Sequence, residues 1–92
     1  MNTDRAETIA LQALAFLAAD DEALGGFLHV TGLGMGELRA AAGNPETLAG
    51  ILDYVLQDEA MLLAFCEAAD ILPEEPIRAR AHLPGGDVPH YT

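Results

Sequence analysis

The sequence contains no lysine, and four arginines are its only strong cations against 15 acidic residues, which gives a formal net charge of −11. A surface that neutralises nucleic-acid phosphates needs clustered Lys and Arg side chains. The four arginines are dispersed along the chain and are too few to form such a surface. The composition therefore disfavours a nucleic-acid partner. It predicts a solvated acidic surface, which would steer the protein toward basic partners.

Cysteine is equally scarce, because Cys66 is the only one. A single cysteine gives neither an internal disulfide nor a thiolate metal cluster. Cys66 follows Phe65 in an apolar run, without a neighbouring cation or histidine that would activate a nucleophile. We therefore expect a buried and unreactive thiol.

Long apolar runs are also missing. No stretch approaches the roughly 18–20 apolar residues of a membrane span. The beginning of the chain lacks the basic residues that open a secretory signal. The sequence therefore predicts a cytoplasmic protein with no membrane partner.

Aromatic residues make up 5% of the chain, although 51% of its residues are hydrophobic. Most of the apolar content is Ala and Leu, which favour helices, and β-branched residues are few. A chain of 92 residues has room for one core. We predict a single all-α domain over residues 1–83, a compact bundle of five or six short helices, and a flexible tail over residues 84–92.

Apolar spacing and capping residues divide the domain into helices. We expect them at about residues 3–19, 21–31, 34–42, 45–57, 59–69 and 73–83. Asp20 and Asp58 are predicted N-caps, Gly32 a C-cap, and Pro45 a first helical residue. The side chains expected to face the core are Ile9, Ala13, Phe16, Leu17, Leu24, Phe27, Leu28, Met35, Leu38, Leu48, Ile51, Leu52, Val55, Leu62, Phe65 and Cys66.

The two halves of the chain match each other at an offset of 38 residues. The matched pairs are Leu14 with Leu52, Phe16 with Tyr54, Leu17 with Val55, Asp20 with Asp58, Asp21 with Glu59, Leu24 with Leu62, Phe27 with Phe65 and Leu33 with Ile71. A self-match at one fixed offset predicts two copies of a helix–helix–short helix unit, at about residues 9–43 and 47–83. Chance similarity between amphipathic helices is the alternative interpretation.

The sequence gives little evidence for a catalytic or ligand-binding site. Residues 20–22 and 58–59 are acidic clusters, but neither has the alternating ligands and glycine of a calcium loop. The Gly32-x-Gly34-x-Gly36 run follows a helix and lacks the lysine of a phosphate loop. The histidines His29, His82 and His90 have no His or Cys partner at metal spacing. The sequence therefore predicts no catalytic, cofactor-binding or metal-binding residue, and no enzyme.

Residues 27–39 have the spacing of a helix-turn-helix, with a helix that ends at Gly32 and a short helix that packs Leu38 inward. As a DNA reader, the second helix would present glycine, alanine and glutamate, with Arg39 as its one cation. Base edges and phosphates require more donors than these. A structural helix pair is the favoured interpretation, and a nucleic-acid-binding regulator is the alternative.

Apolar residues exceed what one buried face requires, most clearly around Met61 and Leu63 in the fifth helix. Such a helix is either central in its domain or contacts a partner. We favour a central position. The possible interaction surface comprises Leu11, Leu56, Met61 and Leu63. These features indicate a small non-catalytic protein-interaction or regulatory protein, with an unknown protein partner or a second copy.

Two blocks of sequence carry a resemblance to a known family. Residues 11–20, Leu24-x-x-Phe27-Leu28-x-x-Thr31-Gly32-Leu33 and Leu38-Arg39 form the first, and residues 58–66 form the second. Together they resemble the domain-of-unknown-function 3572 family of short bacterial proteins, mostly alphaproteobacterial, over about residues 7–83. The resemblance implies a helical cytoplasmic bacterial protein. It implies no activity, cofactor or catalytic residue.

Overall fold

A computed structural model of the chain describes residues 1–85. Over those residues it contains six α-helices and no β-strand. The helices are α1 (Thr3–Ala18), α2 (Asp21–Thr31), α3 (Met35–Ala41), α4 (Pro45–Leu56), α5 (Glu59–Ala69) and α6 (Glu74–Ala81). The predicted all-α fold is confirmed. Most of the tail predicted for residues 84–92 lies outside the described residues.

An aspartate caps the second helix of each predicted repeat unit, α2 and α5. The Asp20 carboxylate accepts hydrogen bonds from the backbone amides of Glu22 and Ala23, at 3.0 and 3.3 Å. The Asp58 carboxylate accepts one from the amide of Met61, at 3.2 Å. Each cap satisfies donors that the helix itself cannot, which typically stabilises a helix by about 1 kcal/mol. Both predicted N-caps are confirmed.

The core is organised around α1, which packs against α2, α4, α5 and α6. Its alanines Ala6, Ala10 and Ala13 are fully buried, and their small side chains allow close approach of the neighbouring helices. The other buried apolar residues are Ile9, Leu17, Phe27, Leu38, Leu48, Ala49, Ile51, Leu52, Val55, Phe65, Cys66, Pro76, Ala79 and Leu83. Phe16, Leu24, Leu28 and Leu62 are partly buried against this core.

Two sequence predictions about the core are wrong. The fifth helix is not central: α5 packs on α1 and α4, and its buried residues are Phe65 and Cys66. The buried alanines of α1 determine the centre, rather than the apolar density of α5. Met35, expected to face inward, is 42% exposed, because it is the first residue of a short helix whose buried anchor is Leu38.

The helix bounds follow the 38-residue offset. Helices α2 and α5 begin and end 38 residues apart, and α1 and α4 end at Ala18 and Leu56. The residues that follow α2 and α5 are Gly32 and Asp70, and both adopt the left-handed conformation, with φ of 75° and 59°. Duplication as the origin of this correspondence stays a prediction.

Two ion pairs attach α6 to the rest of the bundle. Arg5 of α1 donates to Glu75 at 3.2 Å, and Arg80 of α6 donates through two nitrogens to Asp53 of α4, at 2.6 and 3.2 Å. Exposed pairs of this kind contribute at most about 1 kcal/mol each. None of the helices in the described part of the chain is both long and apolar enough to cross a membrane.

Candidate functional site

The outward side of α1 carries no charge over a long distance. Residues 9–19 include no Asp, Glu, Arg or Lys, and in an α-helix 11 residues span about 16 Å. Leu11, Ala15 and Ala18 are exposed on the side away from the core, and Leu11 is 46% exposed. We call these three residues the α1 outer face. In a chain with 15 acidic residues, a charge-free surface of this length is a candidate contact site.

An apolar groove of about 360 Å³ lies beside this face, between α1 and α5. Phe16 and Phe65 form its floor, with ring centroids 5.7 Å apart and an interplanar angle of 56°. The described residues that line it are Gln12, Ala15, Phe16, Ala19, Phe65, Ala68 and Ala69. None of them is charged. We call this feature the α1–α5 groove, and its alanine walls are what leave it open.

Gln12 is the one polar residue among the described lining of the α1–α5 groove. Its side-chain oxygen is buried, and it accepts no hydrogen bond from any described residue. Leaving a buried acceptor unsatisfied typically costs about 1–3 kcal/mol. Because this oxygen has almost no accessible surface, it is not a contact point for an occupant, and the groove presents an essentially apolar surface.

A second groove, of about 400 Å³, borders α1 on its other side. Its lining residues are Leu14, Ala18, Leu24, Met35, Leu38, Arg39 and Ala42. Arg39 is exposed, and it forms no ion pair with another residue of the described range. We call it the α1–α3 groove. It differs from the α1–α5 groove because its lining includes a cation.

The repeat supplies an internal comparison for the α1–α5 groove. In the second unit, the counterparts of Phe16 and Ala15 at the 38-residue offset are Tyr54 and Asp53. Tyr54 packs edge-on against Phe27, with ring centroids 5.4 Å apart at 77°. Its hydroxyl lies 2.6 Å from the point that a Cβ on Gly26 would occupy. At the position of the open, uncharged groove of the first unit, the second unit therefore has the longer side chain of Tyr54 and the ion-paired carboxylate of Asp53.

The interaction residues predicted from sequence lie in different places. Leu11 is on the α1 outer face. Leu63 is 50% exposed, but it is two residues from Phe65 and so lies on the opposite side of α5 from the groove floor. Leu56 and Met61 are partly buried against the core. Sequence reasoning missed the groove alanines because it treated Ala as a helix former. The charge-free run of residues 9–19 is a sequence signal for Ala15 and Ala19, whereas nothing comparable marks Ala68 and Ala69.

The Cys66 thiol and the Glu75 carboxylate have shifted pKa values. Burial raises the pKa of the Cys66 thiol above its ordinary value, and the carboxylates of Glu75 and Glu74 raise it further. Cys66 therefore stays protonated and is a poor nucleophile. Within residues 1–85, no three His, Cys, Asp or Glu side chains come together in a way that could hold a metal ion.

The helix pair α2–α3 has the three-residue connection of a helix-turn-helix, with Gly32 in the left-handed conformation. The predicted inward residue, Leu38, is buried. The exposed residues of α3 include Gly36, Glu37 and Arg39. This surface offers one cation and one carboxylate, so the geometry is present without the donors that base recognition requires.

A comparison with known families gives one match. The model of the family described as "Protein of unknown function (DUF3572)" covers residues 3–86. No curated protein and no solved structure matches the chain.

Proposed function

The chain belongs to the DUF3572 family of proteins of unknown function, and we propose that it is a small, non-catalytic bacterial protein that binds another protein in the cytoplasm. The contact surface in this proposal is the α1 outer face together with the α1–α5 groove. The observation that carries the proposal is the groove itself, which is apolar, uncharged and floored by Phe16 and Phe65.

The dimensions and chemistry of the groove suit a partner's side chains. Binding energy at protein interfaces is concentrated in a few apolar or aromatic anchors that fill pockets of this kind. The exposed Leu11 adds an apolar contact beside it. Leu63 lies away from the groove and is a separate candidate contact.

Site-specific photo-crosslinking in living cells tests the proposal. A benzophenone amino acid replaces Ala68, which is exposed on the groove wall, and in a control it replaces Val30, its exposed counterpart in the first unit. The proposal predicts a discrete crosslinked product from position 68 and none from position 30. No product from position 68, or the same products from both positions, would contradict it. The mass of the product distinguishes a second copy from another protein.

A further inference from the structure

We propose that the occupant of the α1–α5 groove is an amphipathic helix of another protein, with an apolar stripe of about three turns and basic residues at both ends. The inference rests on the proposed function and names the chemistry of the partner. It derives from the distribution of charge around the α1 outer face.

Carboxylates border the charge-free run of α1 at each end. Before it, Asp4 and Glu7 lie seven and four residues from Leu11, which places all three on one side of the helix. After it, Asp21 and Glu22 are exposed in the first turn of α2. The surface is therefore apolar for about 16 Å and acidic beyond each end.

This arrangement disfavours a second copy as the occupant. Two α1 helices packed antiparallel would bring Asp4 and Glu7 of one copy toward Asp21 and Glu22 of the other. Packed parallel, each acidic pair would meet itself. Like charges are brought together in both cases, whereas a helix with basic ends meets opposite charge at both.

Charge also distinguishes the two grooves. The α1–α3 groove carries Arg39, which would repel a basic partner. The α1–α5 groove has no charged residue among its described lining, and the alanines Ala15, Ala19 and Ala68 allow a helix to approach closely. The occupant therefore fits the α1–α5 groove.

Isothermal titration calorimetry with two synthetic peptides tests the inference on the full chain. Both are amidated helical peptides of about 18 residues, long enough to span the surface, with a Leu–Ala stripe and glutamine on the opposite side. One carries two lysines at each end, and the other carries two glutamates. The lysine peptide is expected to bind at least about tenfold more tightly at low salt, and to weaken as salt screens the end charges. Equal affinities, or no binding of the lysine peptide, would overturn the inference.

Variants of the protein separate groove binding from general attraction to an acidic surface. Ala15→Glu and Ala68→Glu place a long charged side chain in the groove at exposed helical positions, and circular dichroism checks that each remains folded. Ala40→Glu adds the same charge at an exposed position of α3. The inference requires about tenfold weaker peptide binding for the groove variants and unchanged or tighter binding for Ala40→Glu. If the groove variants bind like the native chain, the inference is wrong.

Failure of the inference can be distinguished from failure of the proposed function. If position 68 crosslinks to a second copy and the lysine peptide does not bind, the groove is a protein contact site and the basic-helix inference is overturned. If neither experiment shows groove binding, both are wrong.

Discussion

Phe16 of α1 packs on Phe65 of α5, and the two counterparts of these residues, Tyr54 and Phe27, pack on each other. The first aromatic residue of each repeat unit therefore contacts the second aromatic residue of the other unit. This exchange interlocks the two units, because each one completes its aromatic contact with a side chain from its neighbour. The two pairs differ by one hydroxyl group, and that difference leads to the first prediction.

The hydroxyl of Tyr54 limits residue 26 to glycine. A Cβ added at Gly26 would lie 2.6 Å from that hydroxyl, whereas a Cβ at Gly25 would meet nothing within 4 Å. Gly25→Ala should stabilise the protein by about 0.5–1 kcal/mol, because alanine is the better helix former. Gly26→Ala should destabilise it by about 1–3 kcal/mol. Urea unfolding followed by circular dichroism measures both.

A double-mutant cycle identifies the cause. Without the hydroxyl, the next atom of the ring lies 3.9 Å from the added Cβ, an ordinary contact distance. In a Tyr54→Phe background, Gly26→Ala should therefore lose its penalty and behave like Gly25→Ala. A penalty that persists in that background would show that the hydroxyl is not responsible.

For the two left-handed C-caps we predict substitutions with opposite effects on the stability of the protein. Gly32 has a φ of 75°, and its counterpart Asp70 has a φ of 59°. A residue with a Cβ pays about 1–2 kcal/mol in this conformation. Gly32→Ala should destabilise the protein by about that amount, and Asp70→Gly should stabilise it by up to about 1 kcal/mol. Thermal unfolding measures both, and a stabilising Gly32→Ala would contradict the assigned conformation.

The Glu75 carboxylate predicts a contribution to stability that depends on pH. The backbone amide of Leu72 and the guanidinium of Arg5 donate to it, at 3.0 and 3.2 Å, and hold its pKa below its ordinary value. A depressed native pKa stabilises the fold above the unfolded pKa, and this stabilisation is lost as the pH falls through the native value. Glu75→Gln should therefore lose less free energy of unfolding than the native chain between about pH 5 and about pH 3. Parallel pH profiles of the two proteins would show that the carboxylate contributes nothing.

The buried thiol of Cys66 predicts slow chemical modification. It is 4% exposed, and its raised pKa keeps it protonated at neutral pH. Its reaction with a disulfide reagent should be at least about a hundredfold slower in the native protein than in urea. A Cys66→Ala, Ala64→Cys double variant moves the thiol to an exposed position of the same helix and should react at nearly the unfolded rate. Equal native rates for the two proteins would contradict the burial of Cys66.

The sequence alone predicted the helices and their caps because these depend on local chemistry. Asp20, Asp58 and Gly32 act through backbone groups within a few residues, so the sequence around each one is enough to predict its role. Which helix lies at the centre of the bundle depends on how closely its neighbours can approach it. Small side chains such as that of Ala10 allow this close approach to α1, and they decide the central position more than the number of apolar residues in α5 does. Hydrophobicity alone does not report that difference.

The candidate site was less predictable for the same reason. Leu11 was identified because it is large and apolar. The groove beside it is created by the absence of large side chains at Ala15, Ala19 and Ala68, on two helices that are distant in sequence. Such a space becomes visible only when the helices are placed side by side.

The most direct test of the α1–α5 groove as the binding site is an NMR titration of the alanine-methyl-labelled protein with the lysine-flanked peptide. Binding in the groove predicts that the largest shift changes occur at the methyl groups of Ala15, Ala19, Ala68 and Ala69. Largest changes at Ala40 and Ala42 of the α3 region, or saturating peptide without a change at the groove methyl groups, would contradict it.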